Sequence, residues 1–236
     1  MSKATREPQY NRCLELREKH GLTPLGLMSN QVWVDDPRRL AFVLARYKFV
    51  AKMFAGMDRV LEAGCADAFG TRLVLQEVKR LTAVDFDPLF VEDVHARMDP
   101  RWRFECRVHD LLKGPVPGRF DGVYALDLLE HIPAARERLF MANLAGSLTA
   151  RGVLILGTPS LQSQAYASPP SREGHVNCKG AKELRALAER FFHNVFIFSM
   201  NDEVVHTGFT PLAHYLIALC CGPRRAGGAG PRQRAR

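Results

Sequence analysis

Residues 60–70 read VLEAGCADAFG: the end of an apolar strand, an acidic residue, then a turn of small residues that opens a helical pattern. Val60 and Leu61 close a buried strand, and Gly64, Ala66, Ala68 and Gly70 keep the turn small enough for a ligand to lie against its backbone. The helix that begins near Ala68 or Phe69 aims free N–H groups at the same place. Asp85 stands 21 residues beyond Gly64, at the end of a second apolar strand, 81–84. A carboxylate at about that distance from the glycine turn is placed to accept from ribose hydroxyls, so the pattern predicts a nucleotide-like cofactor.

Two cofactor classes use such a turn. A dinucleotide site wants G-x-G-x-x-G, because the second glycine lets the backbone approach a pyrophosphate. Here Ala66 and Ala68 occupy the later positions, and Glu62 lies two residues before Gly64. A carboxylate there repels pyrophosphate and suits the ammonium of an amino-acid-bearing nucleoside. That favours S-adenosylmethionine over NAD.

Further along come AVDFDP (83–88), RVHDLL (107–112), FDGVYALDLLEHIP (120–133) and GVLILGTPS (152–160). With VLEAGC these resemble the class I S-adenosylmethionine-dependent methyltransferases, in particular their UbiG-like small-molecule branch. The resemblance spans 59–160 well and 174–198 more weakly. The D-x-L-E-H run is its most specific piece, and Ala66 is its clearest departure, since the family usually carries glycine there. The resemblance implies a Rossmann-like, doubly wound α/β fold: a mostly parallel seven-stranded sheet with helices on both faces and an N-terminal helical extension. It also implies roles. Glu62 and the backbone around Gly64 and Cys65 would hold the methionine moiety, and Phe86 an adenine face. Asp110 would accept from the adenine amino group, with Leu111 supplying an N–H. Asp127 and Leu128 would line the side nearest the sulfonium, with His131 just beyond, and Arg46 would pair with the cofactor carboxylate. Plainer readings compete: Asp85 and Asp87 as caps of a helix starting at Pro88, Asp110 as a turn residue, Phe86 as core, and Glu130 and His131 as structural residues early in a helix.

A chain of 236 residues with 47% hydrophobic content can bury one α/β domain. The expected organisation is an N-terminal helical extension and lid over 1–56, the methyltransferase domain over 57–221, and a basic disordered tail over 222–236. That tail carries five arginines and no acid, so the net charge of +8 leaves only about +3 for the body. With no N-P-P-Y type run after the fourth strand, nucleic acid ranks low as a partner. No apolar run is long enough to span a bilayer and no signal-type h-region opens the sequence, so a cytoplasmic protein is expected. The six cysteines show no C-x-x-C spacing and are expected to be reduced.

The pattern predicts helices over 7–20, 37–54, 69–79, 88–97, 134–148, 179–190 and 210–220, and strands over 59–62, 81–85, 102–107, 121–126, 152–157 and 193–199. Residues 22–37 and 158–173 read as irregular. The parts 22–37 and 162–177, carrying Trp33, Tyr166 and Asn177, are the expected covers of a small polar acceptor. His175, then His131, are the candidate general bases if the acceptor is a hydroxyl that must lose a proton. Neither their spacing nor that of a nearby carboxylate is diagnostic of zinc-type ligation, so no metal is expected. The reading is transfer of a methyl group from S-adenosylmethionine, leaving S-adenosylhomocysteine, preferably to oxygen of a sugar or decorated metabolite, by a monomer or homodimer. Its rivals are a methyltransferase of protein or RNA recruited through the tail, a non-catalytic cofactor-binding protein, and an NAD-dependent oxidoreductase.

Overall fold

A computed structural model describes residues 4–224. Eight strands form one sheet: β1 (Arg59–Ala63), β2 (Arg80–Asp85), β3 (Glu105–Val108), β4 (Phe120–Leu126), β5 (Leu148–Pro159), β6 (Phe192–Asn201), β7 (Val204–His206) and β8 (Tyr215–Pro223), in the order β3-β2-β1-β4-β5-β8-β6-β7. The five strands β3, β2, β1, β4 and β5 are parallel, and β8 enters antiparallel between β5 and β6. Among the described residues the eight α-helices are α1 (Asn11–His20), α2 (Leu27–Asp35), α3 (Arg38–Met53), α4 (Thr71–Leu75), α5 (Pro88–Arg97), α6 (Glu137–Ser147), α7 (Pro169–Gly174) and α8 (Ala181–Ala188).

The period-2 alternation of the strands divides the core. Leu61, Ala63, Val123 and Ala125 face α6 and α8, where Phe140, Met141, Leu144, Leu184 and Leu187 are buried against them. Val60, Ala83, Tyr124 and Ile155 face α3, α4 and α5, meeting Val50, Phe54, Val74 and Val91. Helix α3, expected within the N-terminal extension, is thus part of the main core. The doubly wound parallel architecture is as the sequence implied.

Four local expectations are corrected. Residues 210–220 form no α-helix: Thr210–Leu212 make a single 3-10 turn, and Tyr215–Cys221 belong to β8, with Leu216, Ile217 and Ala218 completely buried. A short apolar run buried on both faces carries no periodicity to separate strand from helix, and Pro211 and Gly222 bound it. β7 adds an eighth strand at the edge, and residues 27–35 are helical. The expected tail begins too early, because Gly222 and Pro223 continue β8 and the Arg224 N–H donates to the Phe191 carbonyl at 2.7 Å; residues 225–236 of it lie outside the described residues. No helix among the described residues is long and apolar enough to cross a membrane.

Candidate functional site

Ligands of an open α/β sheet lie outside the carboxyl ends of its strands. Gly64, Asp85 and Asp127 all stand at those ends, after β1, β2 and β4. Gly64 adopts φ +73°, and a Cβ there would lie 2.7 Å from Leu128 Cδ2, so a side chain would strain the backbone and displace Leu128. The Gly64 and Cys65 N–H groups both donate to the Val84 carbonyl, at 2.8 and 3.1 Å, bending the chain off β1. Ala66 and Ala68 then turn left-handed, with φ of 44° and 51°. The glycine-like conformation survives without glycine, at roughly 1–2 kcal/mol per residue.

The Asp85 carboxylate fastens this turn to β2. Its oxygens accept from the Ala66 N–H at 2.9 Å and the Asp87 N–H at 3.0 Å. Asp87, not Asp85, caps α5, accepting from the Leu89 N–H at 2.9 Å. Phe86 is 70% exposed and so is not core. Asp110 accepts from the Leu112 N–H at 2.8 Å, a turn-forming bond, and Leu111 is buried in the core. Cys65 is buried at the floor of the turn.

Glu62 lies beneath the turn, on the α3 side. It is 2% exposed, and its carboxylate accepts from Tyr47 Oη and Tyr124 Oη, each at 2.7 Å, and from Thr71 Oγ1. Burial outweighs these three donors and raises its pKa to about 7. Through these bonds Glu62 braces α3, α4 and β4 under the turn.

The other half of the cleft surrounds Asp127, itself left-handed at φ 53°. Arg46 reaches it from α3 with one nitrogen 2.8 and 2.7 Å from the two carboxylate oxygens, and stacks over the Tyr215 ring at 3.7 Å. Arg46, expected at the cofactor carboxylate, is thus paired with a carboxylate of the chain itself. Glu130, in a 3-10 turn (Leu129–His131) rather than early in a helix, is completely buried and accepts from Thr158 Oγ1 at 3.1 Å. Burial first, and the neighbouring Asp127 second, push its pKa up to about 8. Among the described residues, the buried side-chain polar atoms without a partner are Arg46 Nε, Glu130 Oε1 and Tyr215 Oη. All three belong to this cluster.

His131 and His175 meet edge to face with ring centroids 5.3 Å apart. His131 Nδ1 lies 2.9 Å from the Gly174 carbonyl, and His175 Nδ1 lies 2.9 Å from Gln164 Oε1. Each partner can only accept, so each Nδ1 carries the hydrogen and each Nε2 keeps its lone pair. Burial and the neighbouring His131 lower the pKa of His175, which keeps it neutral near pH 7. Together with Glu130 the two rings offer ligand atoms within 4.8 Å of one another, a group able to hold a metal ion that the spacing did not disclose. What gathers it is the return of 161–177: the Asn177 N–H donates to the Glu130 carbonyl at 3.0 Å, and its side chain bonds Glu137 at 3.1 Å. Tyr215 was hidden by the expected helix at 210–220, whereas Glu130 sits in plain view three residues after Asp127.

The sheet order, the glycine turn and the acidic strand ends define a nucleotide-binding methyltransferase fold. Residues 60–152 match the family described as a methyltransferase domain. A probable S-adenosylmethionine-dependent methyltransferase of Mycobacterium tuberculosis is 30% identical over 166 residues, covering 70% of this chain and 53% of the relative. The ubiquinone biosynthesis O-methyltransferase of Psychrobacter arcticus is 22% identical, covering 81% of this chain and 72% of the relative. The chain spans about half the length of its mycobacterial relatives. Among solved structures, the N-methyltransferase NodS of Bradyrhizobium japonicum, in complex with S-adenosyl-L-homocysteine, superposes with TM-score 0.59 at 22% identity, covering 81% of this chain and 91% of that one. The methyltransferase domain of a bacterial Hen1 gives 0.64 at 16% identity, covering 76% and 98%. The chain thus carries a methyltransferase domain over 60–152 on a class I methyltransferase fold, and is similar to S-adenosylmethionine-dependent methyltransferases.

Proposed function

We propose that the chain methylates a hydroxyl of a small polar acceptor held between Asp127 and the His131–His175 pair. One observation carries this: the three unpartnered buried polar atoms cluster around Asp127, beside two imidazoles whose Nε2 lone pairs are unused. Buried polar groups without partners are costly, so a polar guest is the economical explanation of all three. The names of the ubiquinone-biosynthesis relatives support oxygen as the acceptor atom.

In this reading S-adenosylmethionine, when bound, supplies an activated methyl group on a sulfonium. The backbone at Gly64 and the carboxylate of Asp85 would hold it, with Phe86, Asp110 and Leu111 toward the adenine and Leu128 toward the methionine moiety. The chain's remaining task is alignment and proton removal. His175 Nε2 would take the proton of the acceptor hydroxyl, and the Nδ1 bond to Gln164 fixes the ring for that transfer. Arg46 and Tyr215 orient the acceptor's polar groups.

A second reading comes from the Glu130, His131 and His175 cluster: a divalent cation held by these three would bind the acceptor oxygen and lower its pKa. Both histidines already donate their other N–H to an acceptor, the usual arrangement of metal-bound imidazole. The two readings part on one experiment, in which transfer of labelled methyl to a panel of hydroxylated and amino compounds is measured with and without chelator. Activity that survives chelation assigns His175 the proton; activity restored only by added Mn²⁺ or Zn²⁺ assigns the cation. Transfer confined to amines would sink the preference for oxygen, and transfer only to protein or RNA would sink the small acceptor.

A further inference from the structure

The edge of the sheet opposite the glycine turn is basic. Three neighbouring parallel strands begin there, and each is entered through a cation: Arg59 opens β1, Lys79 and Arg80 lead into β2, and Arg103 stands just before β3. Arg59 and Arg80 are register partners. Backbone bonds fix their neighbours too, because the Lys79 N–H donates to the Met57 carbonyl at 3.0 Å and the Arg80 N–H to the Asp58 carbonyl at 2.9 Å. Adjacent strands lie about 4.8 Å apart, so the ladder holds like charges side by side, an arrangement that costs stability.

The four cations line one hollow of about 460 Å³, together with Leu81, Phe104 and Phe120. The one carboxylate among its lining residues is Glu105, and both of its oxygens are engaged, by Thr82 Oγ1 at 3.0 Å and by Arg107 at 3.2 Å. Arg80 pairs with Asp58. The side chains of Arg59, Lys79 and Arg103 form no hydrogen bond or ion pair among the described residues. Arg59 is nonetheless held in place. Its guanidinium lies over the Phe120 ring at 5.3 Å, and Gly118, at φ +114°, leaves it room where a Cβ would come within 3.0 Å of an Arg59 nitrogen. An arginine fixed by packing, with its N–H fork unused, is prepared for an oxyanion.

We propose that this hollow binds a small molecule carrying a phosphate or diphosphate on an apolar body. The phosphate oxygens accept from Arg59, Lys79 and Arg103, relieving their repulsion, and the apolar body lies against Leu81, Phe104 and Phe120. The volume is that of a small-molecule site, and cations converging on one apolar-walled concavity favour such a ligand over a nucleic-acid strand. β1 is five residues long, which puts the hollow roughly 15 Å from Gly64, so this ligand is neither the methyl donor nor the acceptor at Asp127.

Phenyl phosphate and pyrophosphate, titrated calorimetrically into the full chain with and without saturating S-adenosylhomocysteine, test this. Both probes are expected to bind in either condition, and more weakly as salt is raised. Arg59→Met and Arg103→Met should each weaken binding about tenfold, the worth of a lost hydrogen bond to a charged group, whereas Lys182→Met, which removes an equal charge from α8, should change it less than about twofold. Arg103→Met should also raise the melting temperature of the probe-free chain, because a repelled charge is gone, and abolish the rise that phenyl phosphate gives the wild type. That readout decides the matter if Arg59→Met fails to fold. Equal weakening by Lys182→Met, a melting temperature that falls in Arg103→Met, or no heat from either probe at millimolar concentration would overturn the site. Displacement of both probes by S-adenosylhomocysteine would overturn it as well, by putting them at the glycine turn. A short single-stranded RNA that binds through the same arginines while phenyl phosphate does not would overturn the small-molecule occupant.

Discussion

Around Gly64 the polar groups are bonded to one another: the turn to Val84, Ala66 to Asp85, Asp87 to α5, Glu62 to its three hydroxyls. Around Asp127 they are left wanting, with Arg46 Nε, Glu130 Oε1 and Tyr215 Oη unpartnered among the described residues. The first half comes largely from two neighbouring βα units; the second is gathered from α3, the ends of β4 and β5, the 161–177 segment and β8. A self-satisfied turn can serve one constant ligand across a family. A cleft with spare donors and acceptors is where a particular acceptor is chosen.

The largest separation of the two halves should come from His175→Ala. Turnover is expected to fall about 10²- to 10⁴-fold, the range for a lost general acid–base group, while calorimetric affinity for S-adenosylhomocysteine stays within a factor of two or so. A parallel fall in affinity would mean that the halves are not independent.

Glu62, below both halves, affects stability instead. Its folded pKa of about 7 lies above the ordinary 4.5, so folding favours its protonated form. That contribution is whole below about pH 4.5 and is lost as pH rises through about 7, on the order of 3 kcal/mol in all. Urea denaturation from pH 5 to 8 should therefore show stability falling with pH, and Glu62→Gln should flatten much of the slope. Glu130 extends the same trend to about pH 8. A stability that rises over this window would refute the assignment.

Asp85→Ala should do the reverse of the His175 variant, weakening S-adenosylhomocysteine by roughly 1.5–3 kcal/mol in calorimetry, through the lost ribose acceptor and the loosened Ala66. Unchanged affinity would remove Asp85 from the cofactor site. The smallest effect is expected of Ala66→Gly, which relieves a left-handed alanine but frees the unfolded chain. A shift in melting temperature within about ±1 kcal/mol of stability is expected, with affinity for S-adenosylhomocysteine nearly unchanged.

These contrasts also explain what could be read before the fold was seen. The strand–turn–acid pattern at 60–85 is local, so the cofactor half was legible from residue types at fixed spacing. Arg46, His131 and His175 were legible as chemistry but not as neighbours. Arg46 meets Asp127 across 81 residues, and His131 meets the Gly174 carbonyl across 43. Tyr215 was lost because seven consecutive apolar residues have no period. Helix α2 was lost for a different reason: the groups that cap it stand 38 and 66 residues away, and no local signal announces them.

β8 comes last among the described strands, yet it lies inside the sheet with β5 on one side and β6 on the other. While the chain is being made, β5 and β6 must wait with open edges until residues 215–223 have left the ribosome. Such edges invite wrong partners, and pairing over long sequence separations is slow. A nascent chain halted before Tyr215 should accordingly be sticky and protease-sensitive. The same chain nine residues longer could close its sheet, so the final gate on this domain's birth is the strand that also brings Tyr215 beneath Arg46.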